Sequence, residues 1–190
     1  MKNSKKRIVI GISGASGVCY GVRLLEMLKS IDVESHLVMS KAAMLTVGHE
    51  LDLKVSEITK MADFVYKTED IGASIASGSF KTIGMIVVPC SIKTMSEIAT
   101  GVTSTLLTRA ADVVLKERRK LVLMVRETPL HLGHLRTMTA LTEMGAVISP
   151  PVPSMYCLPK SIDEMINQTL ARLLDQFEIE VPTIKRWKSE

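Results

Sequence analysis

The chain has 190 residues, 46% of them hydrophobic and 23% charged; this predicts one domain over residues 1–190 with a buried core and excludes an intrinsically disordered protein. Its formal net charge is +4, and its basic residues are scattered rather than interleaved with aromatic residues, which argues against nucleic-acid binding. The apolar run near the amino terminus covers only residues 8–10, too short for a signal sequence or a membrane span. Three cysteines without CxxC spacing, Cys19, Cys90 and Cys157, indicate reduced thiols in a cytoplasmic protein.

Short β-branched segments alternate with segments of helical periodicity along the chain. The predicted strands cover residues 7–12, 34–39, 84–88, 121–125 and 146–148. The predicted helices cover residues 17–29, 40–51, 103–119, 130–144 and 161–177. Residues 70–82 are small and polar, which predicts a loop that can contact a ligand. The alternation predicts an α/β fold with a doubly wound, mainly parallel, Rossmann-like sheet.

The loop after the first strand is the first candidate for a ligand site, because open parallel sheets bind ligands beyond the carboxyl ends of their strands. It reads Gly11-Ile-Ser-Gly-Ala-Ser-Gly17; its glycines allow close approach, and the helix that follows favours an anion. The spacing is GxxGxxG rather than GxGxxG, and Ser40 follows the second strand where NAD sites place an acid. We therefore expect a mononucleotide site with Ser40 as a helix N-cap; a purely structural turn is the alternative.

A second hydroxyl-rich segment, residues 89–94 (PCSIKT), ends the strand at 84–88 and opens a helix. Its hydroxyls and Lys93 suit phosphate or the polar edge of a flavin, although a simple helix cap with a solvated lysine explains them equally well.

Cationic residues follow later in the chain. Arg109 and Lys116 are seven residues apart, hence on one helix face, with Asp112 able to pair with either. A salt-bridged outer face is the ordinary explanation. However, the next strand ends in an Arg-Glu pair, and a tyrosine and another arginine follow. These residues are Arg126, Glu127, Tyr156 and Arg172. Three arginines, a lysine and a tyrosine exceed the needs of one phosphate and indicate a second phosphorylated ligand.

Seven segments together carry a resemblance to a known family. They are ISGASG (12–17), SKAA (40–43), ASGSF (76–80), PCSIKT (89–94), TRAADVVLKERRKLVL (108–123), RETPL (126–130) and PPVPSMY (150–156). With them the chain resembles the UbiX-type flavin prenyltransferases, and more narrowly the B-type companion proteins associated with phenolic-acid decarboxylases. The resemblance extends from about Arg7 to Trp187, nearly the whole chain.

The resemblance implies a transfer reaction that needs no metal. A dimethylallyl group passes from dimethylallyl phosphate to N5 and C6 of reduced FMN, and phosphate is released. The product, prenylated FMN, serves UbiD-type decarboxylases. It also implies a homo-oligomer, a dodecamer whose active sites lie at subunit interfaces.

The resemblance assigns roles to individual positions. The flavin-binding positions are Gly14, Ala15, Ser16, Ser40, Ser91, Ile92, Lys93, Thr94 and Arg126. The dimethylallyl-phosphate positions are Arg109, Lys116, Glu127, Tyr156 and Arg172. Ser16 and Glu50 correspond to the pair that manages protons near flavin N5. The catalytic residues expected on this basis are Ser16, Glu50, Lys116 and Glu127.

Two positions depart from the family pattern. Val125 stands where many relatives have proline, which alters backbone rigidity, and Arg136 replaces an acid, which affects a local contact or interface. Two other functions remain open: an FMN-dependent cysteine decarboxylase, whose histidine and asparagine motif we do not find, and a non-catalytic FMN carrier or accessory subunit. His131 and His134 lack a third ligand in the sequence, so we expect no metal site.

Overall fold

Six parallel strands form the central sheet of the computed structural model, which describes residues 5–182 and 184–188. In chain order they are β1 (Lys6–Ile12), β2 (Val33–Met39), β3 (Phe64–Tyr66), β4 (Gly84–Cys90), β5 (Lys120–Val125) and β6 (Val147–Ile148). Their spatial order is β3-β2-β1-β4-β5-β6, and every adjacent pair is parallel. This is the doubly wound sheet that the sequence predicts.

Helices cover both faces of the sheet. They are α1 (Val18–Lys29), α2 (Lys41–Glu50), α3 (Val55–Thr59), α4 (Ile92–Thr100), α5 (Leu106–Lys116), α6 (Leu132–Glu143) and α7 (Ile162–Asp175). Side chains alternate along β1, so that Ile8 and Ile10 pack into a core with α1 and α7, while Val9 packs into a second core with α4 and α5. Two buried layers therefore hold the strand ends in fixed positions.

Most predicted boundaries are correct within a few residues, because local capping chemistry sets them. Ser40 caps α2 as predicted, and its hydroxyl accepts a hydrogen bond from the Ala43 N–H at 3.0 Å. The helix predicted over residues 103–119 is shorter at both ends, because Thr105 caps α5 and the next strand begins at Lys120.

Two elements are absent from the sequence prediction. Strand β3 has only three residues, and Phe64 and Val65 are 48% exposed, so it shows neither the length nor the pattern of a buried strand. It is defined by pairing with β2. The five-residue helix α3 is the second. Across residues 5–182 and 184–188, no helix is both long and apolar enough to cross a membrane.

Candidate active site

The site begins where β1 and β4 lie side by side, at the point where the strand order reverses direction. Ser13, which is fully buried, connects the two loops that follow these strands. Its hydroxyl donates to the Pro89 carbonyl at 2.9 Å and accepts from the Ser91 N–H at 2.7 Å. The glycine loop and the 89–94 segment are therefore held as one unit.

A cavity of about 490 Å³ opens beside this unit. It is lined by Gly14, Ser40, Lys41, Ala42, Thr68, Glu69, Ile71, Ser91, Lys93, Thr94, Glu97, Ser104, Thr105 and Leu107. We call it the flavin cavity, because several of the residues predicted to bind flavin meet in its wall. These are Gly14, Ser40, Ser91, Lys93 and Thr94.

Three helices begin at the wall of the flavin cavity. The N-caps of α2, α4 and α5 are Ser40, Ser91 and Thr105, and each side-chain oxygen accepts a backbone hydrogen bond from its own first turn. The other first-turn N–H groups of a helix have no intrahelical partner and carry partial positive charge. Their convergence makes the cavity suitable for an anionic ligand.

Gly14 is required by close packing rather than by backbone conformation. A Cβ at this position would lie 2.3 Å from the Cβ of Ala42 on α2, far inside van der Waals contact. The glycine loop can therefore approach α2 only without a side chain. Ala15 is buried beside it, and Ile92 is half-buried in the first turn of α4.

Glu50 lies at the end of α2 and reaches the start of α1. Its Oε2 accepts hydrogen bonds from the N–H groups of Gly17 at 2.8 Å and Val18 at 3.1 Å. Partial burial by itself would raise the pKa of Glu50, but the Ser16 hydroxyl, these two N–H groups and the nearby Arg126 charge outweigh it and lower the pKa below its usual value. The predicted Ser16–Glu50 pair is thus in contact, with Arg126 close enough to influence it.

Glu50 also replaces a missing helix cap. Gly17, the N-cap of α1, has φ 95° and provides no side-chain cap. The Glu50 carboxylate supplies the acceptor instead, and a negative charge at a helix N-terminus is favourable. No local pattern indicates this contact, because Gly17 and Glu50 are 33 positions apart.

The predicted phosphate-binding cations are not all brought to the flavin cavity by one chain. Helix α5 runs back from the cavity towards the opposite edge of the sheet, where β5 begins beside the first residue of β4. Lys116, at the end of α5, pairs with Glu117 at 2.6 Å. It is separated from the glycine loop by nearly the length of a seven-residue strand, roughly 20 Å. Arg109 is half-exposed and pairs with Asp112 at 2.6 Å.

The remaining predicted residues are divided between the two edges. Arg172 lies in the last turn of α7 and pairs with Asp175, near the point where Lys120 donates to the Gln176 carbonyl at the start of β5. Tyr156 is exposed and packs edge-on against Trp187, with ring centroids 5.4 Å apart.

Arg126 and Glu127 follow β5 at the same edge as the glycine loop, and both are exposed. The Glu127 carboxylate accepts only a local hydrogen bond among those described for it, from the Thr128 N–H at 3.0 Å. A single chain therefore assembles the flavin half of the predicted site, including Arg126, but leaves Lys116 and Arg172 at the far edge.

Other reactive residues have structural explanations. Burial raises the pKa of the Cys90 thiol, which argues against a nucleophilic thiolate. His131 caps α6, and its Nδ1 accepts hydrogen bonds from the Gly133 and His134 N–H groups. In the part of the chain that the structure describes, no three His, Cys, Asp or Glu side chains are grouped to hold a metal ion.

Several residues of the flavin cavity are not predicted by the sequence. Thr68 follows the unpredicted strand β3, and no local pattern marks it. Thr105 falls inside the predicted helix rather than at its cap, although the Thr105-x-x-Thr108 spacing in fact forms a reciprocal cap. This spacing is the one signal that could have located the start of α5 at the site.

The geometry and the family profile agree on the class of the protein. The profile of the Flavoprotein family matches residues 1–175, so the chain is a flavoprotein. The flavin prenyltransferase UbiX of Escherichia coli (strain K12) is 59% identical over 186 residues, which are 96% of this chain and 98% of that protein. The chain belongs to the UbiX family of flavin prenyltransferases.

Solved structures give the same result. The structure of AnUbiX (PadA1) in complex with FMN and dimethylallyl pyrophosphate has a TM-score of 0.96 and 46% identity, covering 98% of this chain and 99% of that chain. A dodecameric FMN-dependent UbiX-like decarboxylase from Escherichia coli O157:H7 has a TM-score of 0.94 and 46% identity, covering 96% and 100%.

Proposed function

We propose that this enzyme transfers the dimethylallyl group of dimethylallyl phosphate to N5 and C6 of reduced FMN and supplies the prenylated FMN to a UbiD-type decarboxylase. The observation that carries the proposal is the flavin cavity at the β1/β4 junction, in a chain that matches a flavin prenyltransferase at 59% identity over 96% of its length. The AnUbiX complex with FMN and dimethylallyl pyrophosphate supports the pairing of these two ligands.

The flavin half of the site follows from the contacts of one chain. We assign FMN to Gly14, Ala15, Ser16, Ser40, Ser91, Ile92, Lys93, Thr94 and Arg126. The flavin N5 edge faces Ser16 and Glu50, whose hydrogen bond provides a path for a proton. Because the pKa of Glu50 is lowered, this carboxylate is ionised at neutral pH and can accept a proton during ring closure at C6.

The second half of the site is completed by neighbouring subunits. The support is the distance of Lys116 and Arg172 from the glycine loop within one chain, which no side-chain rotation can bridge. We therefore assign Arg109, Lys116, Tyr156 and Arg172 to the site of a neighbouring copy, where they meet Arg126 and Glu127. Breaking the allylic carbon–oxygen bond leaves a phosphate anion, and these preorganised cations stabilise it without a metal.

Exposed apolar side chains support an assembly. On and after α6 the exposed fractions are 59% for Leu132, 47% for Leu135, 71% for Val152 and 77% for Leu158. A monomer that left these side chains in water would be prone to association. We propose a homo-dodecamer, the assembly named for the relative from Escherichia coli O157:H7. We also propose that residues 1–190 act as one flavin-binding domain in the cytoplasm, where Cys19, Cys90 and Cys157 stay free thiols.

The reaction is tested by incubating the purified protein anaerobically with reduced FMN and dimethylallyl phosphate. We expect a flavin product heavier by one C5H8 unit and an equal amount of inorganic phosphate. A non-catalytic FMN carrier would bind flavin without releasing phosphate, and a cysteine decarboxylase would give neither product. Either of those results would overturn the proposed activity.

The shared site is tested by mixing inactive subunits. We expect Glu50→Gln and Lys116→Met each to be inactive alone, and activity to return when the two are dissociated and reassembled together, because some sites then combine an intact Glu50 with an intact Lys116. The matched control mixes Glu50→Gln with Ser16→Ala. Both residues belong to one chain, so no mixed site is intact and no recovery is expected. Failure of the first mixture to recover, with reassembly verified, would contradict the shared site.

A further inference from the structure

Thr68 is the least explained residue of the flavin cavity. It lies in the cavity wall just beyond β3 and is only 6% exposed. Among the described residues its Oγ1 has no hydrogen-bond partner. A buried hydroxyl without a partner costs about 1–3 kcal/mol. Valine would fill the same space without this cost, so the hydroxyl is best explained by a ligand.

The position of Thr68 is fixed by the backbone rather than by its hydroxyl. Its carbonyl accepts a hydrogen bond from the Leu106 N–H at 2.8 Å, which ties it to the first residue of α5. Rotation about the Cα–Cβ bond exchanges the places of the methyl group and the hydroxyl, so that the hydroxyl can reach a ligand without movement of the backbone.

The cavity around Thr68 is suited to a phosphate. Helices α2, α4 and α5, of 10, 9 and 11 residues, all begin at its wall. The charged side chains there largely cancel: Lys41 pairs with Glu69 at 2.8 Å, and Lys93 lies 3.8 Å from Glu97. The positive potential therefore comes from the converging helix N-termini, which favour an anion.

The other end of the flavin is placed by the proposed function. Ser16 and Glu50 lie on the α1 side of the glycine loop, whereas Thr68 and the three helix N-termini lie on the side of α4 and α5. With flavin N5 at Ser16 and Glu50, the ribityl chain passes Gly14 and its phosphate enters the flavin cavity.

We infer that the Thr68 hydroxyl donates a hydrogen bond to the phosphate of FMN, which makes Thr68 a flavin-binding residue outside every motif that identifies the family. This inference rests on the proposed function for the identity of the ligand. It adds a contact from the β3 edge of the sheet, which the sequence pattern does not connect with the site.

The test compares FMN with riboflavin, which lacks the phosphate, by quenching of flavin fluorescence. We expect Thr68→Val to weaken FMN binding about tenfold or more, the effect of one hydrogen bond to a charged group, and to leave riboflavin binding unchanged. Thr68→Ser should restore FMN binding. The matched control is Thr82→Val, which removes another buried unpartnered hydroxyl that lies outside the cavity wall; both affinities should stay at the wild-type level.

Thermal unfolding provides a second measurement. Without flavin, Thr68→Val should be as stable as the wild type or more stable, because the lost hydroxyl has no partner. Equal losses of FMN and riboflavin affinity would overturn the phosphate contact, and unchanged affinities would overturn any flavin contact by Thr68. If the wild type formed no prenylated product and yet Thr68→Val weakened FMN alone, the proposed activity would fail while the Thr68 contact stood.

Discussion

Glu50 is expected to have two separable roles, and the variant Glu50→Gln tests both. In the first, its carboxylate caps α1 by accepting hydrogen bonds from Gly17 and Val18. Loss of a helix N-cap costs about 1 kcal/mol, with a range of roughly 0.5–2. For a chain of this length 1 kcal/mol lowers the unfolding midpoint by about 2–4 °C. We expect Glu50→Gln to unfold within this range below the wild type at pH 7.

The pH dependence distinguishes a charged cap from other causes of instability. The pKa of Glu50 is lower in the folded protein than its ordinary value of about 4.3. The ionised carboxylate is therefore the form that stabilises the fold. Its contribution is complete above the ordinary value and is lost as the pH falls through the folded pKa. The difference in midpoint between the wild type and Glu50→Gln should be largest near neutrality and should shrink as the pH falls below about 4.

The assay is thermal unfolding of both proteins from about pH 7 down to about pH 3.5, at one fixed protein concentration because assembly affects the midpoint. The second role is measured at neutral pH as the rate of prenyl transfer, which should fall about 100-fold or more if Glu50 moves a proton. A stability difference that stays constant down to the lowest pH would refute the charged cap. A rate within about twofold of the wild type would refute the proton-transfer role.

Three further substitutions test the framework of the site. Ser13→Ala removes both hydrogen bonds that join the two loops, so we expect a loss of about 1–3 kcal/mol in unfolding free energy and weaker FMN binding, measured by denaturant unfolding and flavin fluorescence; unchanged FMN affinity would show that Ser91 does not depend on Ser13. Gly14→Ala places a Cβ 2.3 Å from that of Ala42, and should abolish detectable FMN binding while far-ultraviolet circular dichroism still reports a folded chain; tight FMN binding by this variant would mean that α2 can move aside. Gly84→Ala introduces a side chain at φ +143° and 2.1 Å from a β5 carbonyl oxygen, so we expect destabilisation by more than about 2 kcal/mol, and a wild-type melting temperature would contradict the described start of β4.

The strand-to-helix loops are predictable because their signals are local. A short β-branched run followed by small residues and then helical spacing identifies β1, the glycine loop and α1. Parallel strands place their carboxyl ends at one edge, so the residues that follow each strand are expected together, and Gly14, Ser40 and the 89–94 segment do meet there. The number of cations indicates a second phosphorylated ligand, although it does not indicate where in the fold those cations lie.

The errors concern contacts between distant parts of the chain. Strand β3 has three residues, two of them exposed, and exists only through its pairing with β2, so its own sequence carries no strand signal. Thr68 reaches the cavity as a consequence of that strand. Similarly, Glu50 has the sequence context of a solvated residue at the end of a surface helix, and the packing of α2 against α1 brings it to Gly17.

The order of strands and helices, the parallel sheet and the loops that approach the flavin can all be inferred from the amino-acid sequence, because capping, periodicity and chain direction act over a few residues. Which side chains share a space depends instead on how the layers pack. Packing places Thr68 in the cavity wall and Glu50 at the start of α1. It also carries Lys116 to the opposite edge of the sheet, because a helix that connects parallel strands must run back along them. These distances are a property of the whole folded chain, so no short segment encodes them.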